Sequence, residues 1–200
     1  MKLYFFPGAC SLAVHAALHH VGIRPELVQI DPITNKTLDG KPLTEISPKG
    51  YVPIAIDEDG EVLTEVVAIM LELDSRYPAA NLIPKSGKPR REAIEWLAYI
   101  SSELHRQFIL PLFLEGEQTE EVKAARAKVE RRLGYAAANL TGPYFLGETL
   151  SVVDFFMMVM MFWTGPSKVN LAQWPEMIAY RDRLVQVPAI HDAMKAEGLV

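Results

Sequence analysis

The sequence predicts two parts: a small α/β domain followed by an all-helical domain. Three observations carry this. The first eighty residues change hydrophobic period repeatedly between 2 and 3.6. The stretch YPAANLIPKSGKP, residues 77–89, then places three prolines among small polar residues. Beyond it every apolar pattern has helical spacing.

In chain order, KLYFF (2–6) reads as a strand. SLAVHAALHHVG (11–22) reads as a helix, with Ser11 near its start and Gly22 past its end. PELVQI (25–30) is a second strand, and DPITNKTLDGKP after it has no clear period. VPIAI (52–56) and EVL (61–63) are strands joined by DEDG, where Asp-Gly favours a primed hairpin turn. TEVVAIMLELDSRY (64–77) is a helix with Thr64 placed to cap it. The expected boundaries are 1–78 for the α/β domain, 79–89 for a linker and 90–200 for the helical domain. Within the latter, helices are expected over 90–114, 120–140, 152–163, 174–187 and 189–197. Ser151 and Asp154 have the spacing of a capping box, and Pro188 breaks the last two helices apart.

Bulk properties narrow the function. A net charge of −5 argues against a nucleic-acid-binding face, which needs a basic footprint. One cysteine excludes an internal disulfide and points to a reducing compartment, so a cytoplasmic protein is expected. The most apolar run, VVDFFMMVMMFW, has twelve residues with an Asp inside, too short for a membrane span of roughly twenty. It reads as a core helix, Met157–Met161 included. No histidine spacing suggests a metal site.

Three places carry chemistry. Cys10 precedes a helix start, where unpaired N–H groups and the dipole lower a thiol pKa. A free cysteine is also often a small buried hydrophobe, and position alone leaves both readings open. Pro53 opens a strand, where a cis peptide can expose the backbone of Val52 to an extended peptide ligand; an ordinary trans bond is the commoner case. At Thr64-Glu65-Val66 the helix start can hold a carboxylate and Glu65 can meet an ammonium, or Glu65 can merely complement the dipole.

PGACSL (7–12), SPKGYVP (47–53), LTE (63–65), SVVD (151–154) and the terminal VPAIHDAMKAEGL together resemble the bacterial beta-class glutathione transferases, over the whole chain. The resemblance implies a thioredoxin-like N-terminal domain, an all-helical C-terminal domain, a homodimer, and glutathione as co-substrate with no metal. It implies catalytic roles for Cys10, against the glutathione sulfur, and for His105. It implies that Val52 and Pro53 present backbone to the cysteinyl part, that Glu65 and Val66 hold the γ-glutamyl end, and that Asn35 or Lys36 stands where relatives carry a lysine. Glu103 would reach glutathione across the dimer, and Phe108, Leu112 and Trp163 would line the cleft for a small hydrophobic electrophile. No membrane or nucleic-acid partner is implied.

The chain departs from the family at Val66, where a Ser or Gly is usual, at Asn35, and at Phe5, where a Tyr is frequent. A missing hydroxyl at Val66 removes one hydrogen bond to a charged group, worth about 1.5–3 kcal/mol. The expected activity is conjugation of glutathione to apolar electrophiles, or disulfide reduction through a Cys10–glutathione mixed disulfide. A glutathione-dependent isomerase or dehalogenase is a third possibility. The rival reading is a ligand- or protein-binding module of the same fold with an altered glutathione site.

Overall fold

A computed structural model of the chain describes residues 1–113 and 119–200, with side chains for all of these but 110–113. The chain forms two compact units, residues 1–81 with 188–200, and residues 82–187.

The first unit holds β1 (Lys2–Phe5), α1 (Ser11–His20), β2 (Glu26–Asp31), β3 (Lys36–Thr37), β4 (Ile54–Ile56), β5 (Val62–Thr64), α2 (Val66–Arg76) and α8 (Pro188–Ala196). Its sheet runs β3-β2-β1-β4-β5. β1 and β2 are parallel, with Leu3 opposite Leu27, and α1 makes the crossover between them. β4 runs antiparallel to β1, with Tyr4 opposite Ile54, and β5 antiparallel to β4. This βαβ unit followed by a β-hairpin and a helix is the expected thioredoxin-like arrangement. Alternation along β1 sends Tyr4 into a cluster with Ile30, Leu43 and Ile54.

α1 is buried from Ser11 to His19. A helix that is apolar almost all round needs cover on more than one side. α2 supplies one cover and α8 the other. The last thirteen residues, expected in the helical domain, therefore group with the first unit. Glu197 completes the attachment. Its Oε1 accepts from His15 Nδ1 at 2.9 Å, and its Oε2 accepts the Gly8 N–H at 2.9 Å.

Two local expectations change here. The 57–61 turn has three loop residues, with Gly60 at φ +84° and Asp57 Oδ1 accepting the N–H groups of Asp59 and Glu61. Asp59 has no positive φ, so the turn is not the primed two-residue type. Thr64 does not cap α2. It ends β5 opposite Ile54, which commits its backbone to the ladder, and the chain turns one residue later at Glu65, with φ +72° and ψ +125°.

The second unit contains α3 (Gly87–Tyr99), α4 (Arg106–Phe113), α5 (Glu120–Ala138), α6 (Val152–Trp163) and α7 (Pro175–Leu184). α3 starts three residues before the expected Arg90, because a proline is tolerated in a first helical turn and Pro89 sits there. The expected continuous helix over 90–114 is interrupted by a π-helical turn, Ile100–His105. Ser102 Oγ donates to Ala98 O at 3.0 Å and competes with the helical amide for that carbonyl.

α6 is the core helix, buried from Val152 to Met161. The capping box is present, with Asp154 Oδ2 accepting from Ser151 N at 2.8 Å. Asp154 Oδ1 also accepts from Phe145 N at 2.7 Å and Tyr180 Oη at 2.8 Å. Burial raises the Asp154 carboxyl pKa, and these donors oppose that rise. Among the described residues no helix is long and apolar enough to cross a membrane.

Candidate active site

The loop before α1 is drawn tight by Ala9 N–H donating to Phe6 O at 3.0 Å, with Gly8 at φ +73°. Only a residue without Cβ takes that conformation at no steric cost. Cys10 follows, on the last position before α1. Its thiol lies 3.6 Å from the Val52 carbonyl oxygen and donates to it.

The ionisation of Cys10 differs from the sequence expectation. Burial pushes the thiol up to about 12, and the negative charge of Glu65 adds to this. The N–H groups of Cys10 and Ser11 act the other way, as a helix start should, and lose. At neutral pH Cys10 is therefore a protonated thiol, a hydrogen-bond donor and not a standing thiolate.

The Val52–Pro53 peptide is cis. β4 begins only at Ile54, so the Val52 backbone lies beyond the last rung of the β1–β4 ladder. Next to it in sequence are two residues the motifs did not single out. Lys49 Nζ is 2.6 Å from Glu65 Oε1, and Tyr51 Oη donates to the same oxygen at 2.9 Å. The Glu65 carboxylate raises the pKa of both. Their only signal in the sequence was a cation and a phenol in the loop leading to Val52.

Asn35 takes a structural position. It adopts φ +56°, a left-handed conformation that Asn tolerates, and its Nδ2 donates to Gly50 O at 2.7 Å. It thereby fixes the turn that carries Lys49 and Tyr51. Lys36 sits in β3 and is exposed. Val66, the first residue of α2, is only 6% exposed, so its added bulk is accommodated in the core.

In the second unit His105 ends the π-helical turn, a feature frequent at functional sites. Its ring stands 5.2 Å from Trp163 and 5.8 Å from Phe156, centroid to centroid. Phe108 is fully buried with its ring edge-on to Trp163, so it backs that cluster and does not open onto solvent. Leu112 lies outside the described side chains. Glu103 Oε2 accepts from Arg132 Nε of the same chain at 2.8 Å. Among the described residues no group of three or more His, Cys, Asp or Glu is placed to hold a metal ion.

Residues 8–76 match the family of glutathione S-transferase N-terminal domains, and residues 89–188 that of the C-terminal domains. The glutathione S-transferase GstA of Escherichia coli O157:H7 is 35% identical over 201 residues, covering all of both chains.

The chain belongs to the glutathione S-transferase family.

Two solved structures agree with this transferase over its full length. A sphingomonad glutathione S-transferase complexed with glutathione is 36% identical, with a TM-score of 0.90, and all of both chains is covered. The beta-class enzyme of Sphingomonas chungbukensis is 37% identical, again with both chains fully covered, and has a TM-score of 0.91. The transferase fold, a thioredoxin-like unit and a helical unit, is thus the one expected from PGACSL, SPKGYVP and LTE.

Proposed function

We propose that this transferase conjugates glutathione to small apolar electrophiles, with Cys10 acting as a thiol donor to the glutathione thiolate. The observation that carries the reading is the buried Cys10 thiol, 3.6 Å from Val52 O. An incoming cysteinyl N–H of glutathione competes for the Val52 carbonyl. Once it binds there, the Cys10 S–H is released to donate to the glutathione sulfur. A donor to the thiolate lowers the pKa of the bound thiol and raises the fraction of nucleophile. In the chemical step the thiolate attacks the electrophilic carbon, the S–C bond forms, and the leaving group departs with its electron pair.

The alternative use of the same site, disulfide reduction through a mixed disulfide, needs a Cys10 thiolate, which burial disfavours. His105 is the second catalytic candidate, proposed from the family resemblance. Asn35 acts on glutathione through the 47–51 turn. The reading includes a reducing cytoplasm and a homodimer, and light scattering on the purified chain is the direct test of the dimer.

The experiment compares wild type with Cys10→Ala and His105→Ala, using glutathione and an activated aryl halide over a range of pH. Cys10→Ala is expected to retain part of the conjugation rate, with the rising limb of its pH–rate profile moved to higher pH. An unchanged profile would refute the donor role.

A further inference from the structure

We propose that Trp96, Tyr99 and Tyr135, flanked by Glu92 and Glu95, bind a small free quaternary ammonium compound. All five residues belong to the second unit. The proposal does not rest on the glutathione reading above.

The argument starts from helical spacing. Ala93 and Leu97 form the buried stripe of α3. Glu92, Glu95, Trp96 and Tyr99 stand at i, i+3, i+4 and i+7, a second stripe on the same helix. One apolar stripe is enough to attach a helix to a core. The two rings of the second stripe are half-buried, and Tyr135 of α5, which joins them, is 53% exposed. The ring centroids form a triangle, with Trp96 5.2 Å from Tyr99 and 5.5 Å from Tyr135, and 5.4 Å between the two tyrosines. Phe145, fully buried and 4.5 Å from Trp96, backs them. The three rings and both glutamates line one cavity of about 360 Å³, within the range of small-molecule sites.

The chemistry of the lining selects the ligand. Three polar side chains there donate to the protein's own carbonyls. Tyr99 Oη donates to Arg132 O at 3.1 Å, Asn139 Nδ2 to Tyr135 O at 2.8 Å, and Thr141 Oγ1 to Phe145 O at 3.3 Å. Burial pushes the Tyr99 hydroxyl up to about 12, so it keeps the proton it donates. An anion here meets two carboxylates. A cation meets aromatic rings, whose quadrupole attracts it within about 6 Å of a centroid.

The neighbouring cations are already engaged. Lys88 Nζ lies 3.4 Å from Glu92 Oε1, Arg90 Nη1 donates to Pro84 O at 3.2 Å, and Arg132 Nε donates to Glu103 Oε2 at 2.8 Å. Glu95 is exposed and has no ion pair among the described residues. A primary ammonium or a guanidinium needs several acceptors in set directions. Ring faces do not supply these, and a quaternary ammonium does not require them.

The test is calorimetric titration of the full chain, at constant ionic strength, with choline and with 3,3-dimethylbutan-1-ol, its neutral isostere with carbon in place of nitrogen. Choline should bind with a Kd on the order of 0.1–1 mM, roughly tenfold or more tighter than the alcohol. Tyr135→Leu, at an exposed position outside the core, should reduce that preference several-fold, and Tyr135→Phe, which keeps the ring, should retain it. Glu92→Gln combined with Glu95→Gln should weaken choline and leave the alcohol unchanged. Equal binding of choline and the alcohol by wild type would overturn the proposal, as would an undiminished preference in Tyr135→Leu. So would the absence of choline binding, the result expected if a second copy of the chain covers the rings. Retention of the protein on phosphatidylcholine vesicles would reassign the site to a lipid headgroup and overturn the claim for a free ligand.

Discussion

His15 and Glu197, 182 positions apart, share a hydrogen bond of 2.9 Å between side chains with no solvent exposure. The same carboxylate takes the Gly8 N–H, two residues before Cys10. One side chain near the end of α8 therefore holds both α1 and the loop that carries the thiol.

Removing that carboxylate takes away one hydrogen bond from the Gly8 amide and one from the His15 ring. Glu197→Ala should lose about 1–3 kcal/mol of stability for each buried hydrogen bond it breaks. Glu197→Gln, which keeps one acceptor oxygen, should lose less. Urea denaturation with far-UV circular dichroism gives both values. Equal stability of Glu197→Ala and wild type would show that the contact contributes nothing.

The raised Cys10 pKa has a kinetic consequence. With the thiol at about 12, alkylation by iodoacetamide at neutral pH should be slower than that of a free cysteine by roughly three orders of magnitude. The rate should climb with pH well beyond 9. The thermodynamic sign follows: the unfolded thiol ionises near 9, while the folded one stays protonated. Stability from this group is full below about 9 and is lost as pH rises toward 12. Cys10→Ala should show a shallower loss over that window. Rapid alkylation at neutral pH in the folded protein would contradict this.

On the acid side, His19 acts in the opposite direction. Burial and its neighbour His15 depress its pKa to about 4, and its Nδ1 is buried without a partner among the described residues. Burial also lowers the pKa of His20. Below the ordinary histidine value of 6.5 the unfolded chain takes up a proton that the folded chain refuses. Stability is then full above 6.5 and falls as pH drops toward 4. His19→Leu should flatten this limb, measured as urea midpoints at a series of pH values. An identical acid limb in the variant would assign the loss to other groups.

Val66→Ser should separate binding from folding. The hydroxyl supplies a donor at the start of α2, so glutathione should bind up to roughly tenfold tighter. The lost methyl groups come from a buried side chain, so stability should fall by about 1–2 kcal/mol. Titration calorimetry and urea melts together decide it. Weaker binding by the variant would mean that the hydroxyl does not reach the ligand.

Local patterns were readable from the sequence, and contacts between distant segments were not. The periodicity of β1, α1 and α6 and the Ser151–Asp154 box are set by residues within a few positions of one another, and all are in the structure. Thr64 failed as a cap because its role depends on pairing with Ile54 across a hairpin. Tyr180 on Asp154 and Glu197 on Gly8 span 26 and 189 positions and leave no periodic trace. Cys10 was found from its position before a helix. Its protonation state was not, because burial by surrounding packing outweighs the local dipole. Lys49 and Tyr51 were passed over because only the turn held by Asn35 brings them to Glu65.

The placement of α8 in the first unit bears on how the chain is made. During synthesis, residues 1–81 leave the ribosome with one side of α1 still bare. At about 5–20 residues per second, α8 follows roughly 5–20 s later. For that interval the nascent thioredoxin-like unit exposes apolar helix surface, a target for chaperones, and the loop bearing Cys10 lacks the anchor that Glu197 later provides.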